Sequence, residues 1–307
     1  MEVFSISILL ISFLLLLSIG TPVAWSIIIS SLFTLFVSVP FLPALTTISQ
    51  RMATGIDSFA LLAIPFFILS GELMNSGGVA HRLVAFAKTL VGFLPGGLAL
   101  INIISAMLMG SVAGSAMASA SAMGSILGPE MEKEGYSKGF SVAINITSAT
   151  TGLVIPPSNI LIVYSLASGG ASIAALFLAG YIPGILTGLF LMIVAMLWAK
   201  KKNFKTGKRE PLKKVLNSFV RAFPSLMLLI VVIGGIVSGV FTATEASAIA
   251  VIYTLVLGFF YKEITLKNLP SILLKSSITT AIVMFLIGAS MSMSWVLSFE
   301  NIPEMIS

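Results

Sequence analysis

Uncharged apolar runs of roughly 18 residues, long enough to span a bilayer, recur along the chain, with short polar or basic segments between them. The pattern predicts membrane spans at residues 3–20, 22–43, 59–76, 92–128, 139–169, 175–199, 223–241, 243–261 and 276–298, those at 92–128 and 139–169 being interrupted. Segments 44–58 and 262–275 are shorter and mixed in polarity, as expected of helices lying in the membrane interface. The first run, Val3 to Ile19, has no Lys or Arg before it and no small-residue cleavage site with a soluble domain after it. It therefore reads as a span rather than a secretory leader.

Composition fits this pattern. The 307 residues are 57% hydrophobic and 9% charged, against about 25% charged in an ordinary soluble domain. The fold class predicted is an all-α polytopic membrane protein. The chain has no cysteine, which excludes disulfides, thiolate metal sites and thiol catalysis. The net charge of +6 does not imply nucleic acid, because nine of the 17 Lys and Arg crowd between Lys200 and Arg221 with one acid, Glu210. A basic loop between two apolar blocks marks the cytoplasmic side.

Orientation follows from that loop. Counting back, Lys133 and Lys138 fall inside, and so do Arg82 and Lys88 if 92–128 enters and leaves on one side. Counting forward, Lys262, Lys267 and Lys275 are inside; Arg51 alone disagrees. The charge pattern thus favours a re-entrant hairpin at 92–128 and an N-terminus on the outer face. His81 is read as a loop residue beside Arg82, without metal-ligand spacing.

An internal repeat is also expected. Gly20-Thr21-Pro22-Val23-Ala24 and Phe241-Thr242-Ala243-Thr244-Glu245 each join two apolar helices through a Thr-led turn, at an offset of 221 residues. The same offset maps 44–58 onto 265–279 and 59–76 onto 280–297. Five crossings separate the two starts, so the second copy is inverted, an arrangement common in secondary transporters. The offset places a second hairpin tip near position 334 and a second break near 377, beyond Ser307, so the C-terminal part of the repeat is expected to be missing. Thr242 and Glu245 read as a capping box, and Thr21-Pro22 as a helix cap.

Two constellations carry candidate chemistry. The first is Gly110-Ser111-Val112-Ala113-Gly114-Ser115, followed by small residues including Ser119. It reads either as a small-residue packing face or as a hairpin tip whose carbonyls and hydroxyls suit a hard cation, and the topology favours the tip. The second runs from Asn145 through Thr151-Gly152-Leu153-Val154-Ile155-Pro156-Pro157-Ser158-Asn159. Two consecutive prolines break a helix and free carbonyls near Thr151 to Ile155, and Ser158 or Asn159 is expected to cap the half-helix that follows. No metalloprotease, serine-hydrolase or Walker motif occurs, so neither enzymatic chemistry nor ATP hydrolysis is expected. A channel-like or scaffolding protein without coupled transport is the competing reading.

The run Gly110–Pro129 together with Thr151–Ser158 resembles the large membrane subunit of TRAP (tripartite ATP-independent periplasmic) transporters. Gly20–Ala24, Ile64-Pro65-Phe66-Phe67, Gly239–Thr242 and Thr244-Glu245-Ala246 extend the resemblance over essentially the whole chain. It implies an inverted-repeat, elevator-type fold in the bacterial inner membrane. It implies sodium-coupled uptake of an organic acid such as sialic acid or a C4-dicarboxylate, with a periplasmic binding protein and a small multi-spanning subunit as partners. Sodium is the coupling ion, and no cofactor is implied. Carried over, the sodium site comprises Ser111, Gly114, Ser115, Thr151, Gly152, Val154 and Pro156, with substrate contacts at Ser115, Ser119, Ser158 and Asn159. The expected division is scaffold and arm helices at 1–91, half of a transport domain at 92–199, a basic linker at 200–222, and the start of the second repeat at 223–307.

Overall fold

Long apolar runs with few breakers give helices, and the described residues contain no strand. The computed structural model describes residues 2–202, 204, 206–207 and 209–306, with side chains at all of these except Glu2, Val3, Val112, Ala113, Met305 and Ile306. Lys205 and Lys208 of the basic linker lie outside the described residues. In chain order the helices are α1 (Glu2–Ser18), α2 (Val23–Leu35), α3 (Phe41–Ile56), α4 (Ala63–Ser76), α5 (Val79–Val91), α6 (Gly97–Ala113), α7 (Ala116–Lys133) and α8 (Lys138–Ala149). They continue as α9 (Thr151–Val154), α10 (Asn159–Ala167), α11 (Ile173–Lys201), α12 (Leu212–Val237), α13 (Ala243–Phe260), α14 (Leu269–Phe299) and α15 (Ile302–Ile306).

This is an all-α polytopic membrane protein. Among the described residues, Phe59–Ser76, Ile173–Lys201, Leu212–Val237, Ala243–Phe260 and Leu269–Phe299 are long and apolar enough to cross a bilayer. The bent pair Lys138–Val154 and Asn159–Ala167 is a sixth if the two helices are taken as one span. The expected span at 22–43 is shorter than predicted. α2 has 13 residues and unwinds through turns to Val39, because Pro40 cannot continue it.

The chain divides into two compact units, residues 1–61 with 278–307, and residues 62–277. The division expected at 91/92 does not coincide with this partition. In the first unit α1 and α2 pair through a turn at Gly20, whose φ of +88° glycine adopts without strain. Leu35, Ala44, Ile48, Ala289 and Val296 form its core. The Arg51 guanidinium lies 4.7 Å from the Trp295 ring centroid. Ser5 and Ser38 each donate a hydrogen bond of 2.7 Å to Glu300, one to each carboxylate oxygen. Glu300 is only 8% exposed, so these two hydroxyls tie α1 and the end of α2 to the end of α14. The Thr21 cap is not formed: Pro22 itself takes the extended cap position, leaving Thr21 a residue too far out.

In the second unit α4 packs along α13, and Gly77 and Gly258 allow the close approach. Glu72, nearly buried on α4, is 2.8 Å from Lys275. The capping box at α13 forms as expected, with Thr242 N donating to Glu245 Oε2 at 2.8 Å and Glu245 N donating to Thr242 Oγ1 at 3.2 Å. Two sequence expectations change here. His81 lies in helix α5, not in a loop; Val79, Ala80, Leu83, Val84 and Ala87 give that helix a buried face. No separate interfacial helix covers 262–275, since α14 runs unbroken from Leu269. In its first half stand Ile278-Thr279, with neither Pro nor Gly there to end the helix.

The Glu300 junction generates a test. Glu300→Ala should cost ~1–3 kcal/mol, the price of stranding the buried Ser5 hydroxyl. The double variant with Ser38→Ala should cost less than the sum of the singles. Thermal unfolding of the purified protein reads this, and strict additivity would show that the hydrogen bond contributes nothing.

Candidate functional site

The helical hairpin α6–α7 turns within two residues. Gly114 has φ +59°, and its N–H closes α6 on the Gly110 carbonyl at 2.8 Å. Ser115 is extended, and its hydroxyl accepts the Ala118 N–H at 3.3 Å, capping α7. The arms are stitched by Ser119, whose buried hydroxyl donates to the Ala106 carbonyl at 3.1 Å. Ser111 donates to Leu108 within its own helix at 2.8 Å.

The second element is a break. The helix carried by α8 and α9 ends at Val154, Ile155 is extended, and α10 departs at 51°. The Pro156–Pro157 peptide between them is cis. Thr151 O accepts from the Ile155 N–H at 2.9 Å, and the Thr151 hydroxyl donates to Ser148 O at 2.6 Å. Ser158 occupies the N-cap position of α10 but makes no cap bond; its hydroxyl reaches back to the Leu153 carbonyl. That corrects the capping role expected for Ser158. A freed carbonyl competes for the hydroxyl and takes it.

The two elements meet through glycine. A Cβ on Gly110 would stand 2.3 Å from the Gly152 Cα, and one on Gly152 would stand 2.4 Å from the Gly110 Cα. The backbones of α6 and α9 are therefore in direct contact. At the turn, the position a Gly114 Cβ would take is 3.0 Å from the Pro157 carbonyl oxygen and 3.7 Å from the Asn159 amide carbon. The tip is thus seated on the break. Within the small-residue run Gly110 serves packing and Gly114 serves the turn. Beside the tip, Asn159 Oδ1 is buried with no hydrogen-bond partner among the described residues.

Of the residues singled out from sequence, Gly114 is brought against Pro157 and Asn159, and Gly110 against Gly152. Ser111, Ser115 and Thr151 each stand within one residue of one of these contacts. Three others are engaged elsewhere. Ser119 is committed to the hairpin arms and Ser158 to Leu153. The Val154 carbonyl lies against α11, where a Cβ on Gly180 would approach it to 2.4 Å.

Two supporting features were not read from sequence. On α11, Gly180, Gly184 and Gly188 form a stripe that receives Val154, Ile155 and Met107; the four-residue spacing was the available signal. Behind the tip, Ser148 donates to Asn102 Oδ1 at 3.0 Å and Asn145 Nδ2 donates to Ala120 O at 2.8 Å, binding α8 to both arms. Asn102, one amide inside an apolar run, was the signal there. The site presents neutral oxygens, and the described residues hold no cluster of three His, Cys, Asp or Glu. Hydroxyls and carbonyls suit a hard cation rather than a soft metal.

Comparison with known proteins agrees with this architecture. Residues 10–307 match the family described as tripartite ATP-independent periplasmic transporter, DctM component. The chain is 53% identical over 305 residues to an uncharacterized protein, YgiK, of Salmonella typhimurium, covering 99% of this chain and 70% of that protein. It is 39% identical to a putative TRAP transporter large permease protein of Haemophilus influenzae, covering 94% and 67%. It is 37% identical to a C4-dicarboxylate TRAP transporter large permease protein of Pseudomonas aeruginosa, covering 82% and 59%.

The glycine contact predicts a sharp asymmetry. Gly110→Ala and Gly152→Ala should each destabilise the protein by ~1–3 kcal/mol or more, since backbone must yield. Gly128→Ala, where a Cβ would meet nothing within 4 Å, should be neutral or stabilising by up to ~1 kcal/mol. Thermal unfolding in detergent distinguishes them; equal midpoints for Gly110→Ala and Gly128→Ala would refute the close contact.

Proposed function

The chain belongs to the tripartite ATP-independent periplasmic transporter family as its DctM component, a membrane permease subunit and not an enzyme, and on that premise we propose that it is the large subunit of a sodium-coupled importer of organic acids. The observation that carries the reading is the seating of the Gly114 tip on the Pro156–Pro157 break, with the unpartnered acceptor Asn159 Oδ1 beside it. Irregular backbone at membrane depth is tolerated where it is buried in protein or lines a cavity. An isolated buried acceptor costs free energy unless a cation or donor joins it. Sodium, a cargo ion here, is proposed to bind among Ser111, Gly114, Ser115, Thr151 and Gly152.

The substrate is proposed to be a carboxylate, held by hydroxyls and by the N-terminal end of α10, whose dipole favours an anion. The name of the Pseudomonas relative supports that class. A periplasmic binding protein delivers it, and a small multi-spanning subunit is the membrane partner. The hairpin and the broken helix move together, elevator-fashion, because the Gly110–Gly152 contact and the asparagine bonds join them. The basic linker faces the cytoplasm and the N-terminus the periplasm, in an inner membrane crossed several times. The halves are inverted repeats.

The experiment is uptake of a labelled C4-dicarboxylate by the full-length protein with its partners, with and without a sodium gradient. Uptake should depend on the gradient; indifference to sodium would sink the coupling. Ser115→Ala and Thr151→Ala should each raise the sodium concentration for half-maximal uptake about tenfold, equivalent to ~1.4 kcal/mol. Ser115→Thr keeps the hydroxyl and the helix cap and should transport normally. Unchanged sodium dependence in both alanine variants would remove these residues from the site.

A further inference from the structure

A cavity of about 910 Å³ opens between the ends of α4 and α13 and the beginnings of α5 and α12, remote in sequence from the hairpin and the break. Its lining is unusual for a protein with so few charges. His81, Arg82 and Arg221 face it, with Glu263 as the one acid. The Arg82 guanidinium is set in place: Nη1 donates to the Gly78 carbonyl at 2.9 Å, and the group stands 3.6 Å from the centroid of the Tyr261 ring. Gly78 has φ +68°, and a Cβ there would come to 3.0 Å from that same Nη1, so glycine keeps the place open. An arginine carries five N–H donors in a planar fork, and both carbonyl bonds of Arg82, to Gly77 and Gly78, use Nη1. Among the described residues its Nε and Nη2 hydrogens have no acceptor, so they can meet a ligand.

Two further groups point to one. The Tyr261 hydroxyl is buried without a hydrogen-bond partner among the described residues. Arg221 is exposed and makes no ion pair with any described residue. It stands where α12 passes from its basic first turns into its apolar length. Beside these cations the lining becomes apolar, with Val220 and Phe260 exposed at 61% and 77% of their surface. A free anion would need only the cationic floor. A floor of guanidinium and phenol below an apolar lip, at a helix end carrying a Tyr, has the polarity profile of the membrane interface.

We propose that this cavity binds the headgroup of an anionic glycerophospholipid of the inner leaflet, its phosphodiester on Arg221 and Arg82 and its acyl chains over Val220 and Phe260. Basic pockets between membrane helices on the cytoplasmic side favour such headgroups. The leaflet rests on the orientation proposed above; the chemistry of the pocket does not.

The test is native mass spectrometry of the full-length protein with its partner subunits, after exposure to phosphatidylglycerol or to phosphatidylcholine. Phosphatidylglycerol should be retained in preference. Arg221→Gln, at an exposed side chain with no partner to strand, should reduce its retention about fivefold with an unchanged thermal midpoint. Arg82→Lys keeps the charge but loses the fork, and should reduce retention as well. Equal retention of the two lipids, or full retention by Arg221→Gln, overturns the proposal. So does displacement of phosphatidylglycerol by millimolar inorganic phosphate, which would mark a site for a free anion. Ser76→Cys places a label at the cavity, its reaction read against that of the unsubstituted protein. Reaction with an impermeant maleimide from the periplasm would reverse the orientation and leave the lipid result standing.

Discussion

A peptide group inside the hydrocarbon layer has no water to turn to, so each one must find its partner in the protein. At Ile155–Ser158 this chain abandons the helix that would have supplied those partners. The surroundings answer that deficit. The Ser158 hydroxyl takes the Leu153 carbonyl, the Ile155 N–H stays with Thr151, and α11 covers the rest. Covering it closely requires bare backbone on α11, which is why Gly180 and Gly184 face the break. The concentration of small and hydroxyl-bearing residues around positions 110–119 and 145–159 is first of all a consequence of breaking a helix in the wrong solvent.

The same constraint gives the site its rigidity. With glycine on both sides, α6 and α9 approach until their backbones touch, and van der Waals contact replaces the hydrophobic drive that lipid does not provide. Asn102, Asn145 and Ser148 add directional bonds to both arms of the hairpin. The tip therefore keeps its seat on Pro157 and Asn159 under any motion of the surrounding helices that leaves these bonds intact. Oxygen atoms held this way are preorganised, so little ordering remains for an arriving ion to bring about.

Much of this was legible in the residues. The Pro-Pro pair announced the break, Gly114 the turn, and the basic run from Lys200 the division between apolar blocks. Thr242 and Glu245 gave a cap that formed as read. What was not legible depended on competition or on partners distant in sequence. Ser158 had two possible acceptor or donor roles, and local sequence does not rank them. His81 sat between apolar residues whose helical spacing was short and easily taken for a loop. The glycine stripe of α11 has meaning only once Met107 and Ile155 are placed against it. The continuity of α14 turned on the absence of a breaker, and absences are harder to see than prolines.

The Gly110–Gly152 contact has a consequence for how this protein can vary. At most packed contacts, a larger residue on one side is accommodated by a smaller one on the other, and the pair drifts together through generations of sequence. Here neither partner has anything to give up. Any replacement adds a Cβ, and its opposite number is already the smallest residue there is. The position closest to the candidate site would thus be silent in a search for co-varying pairs, its coupling hidden because no compensating change exists.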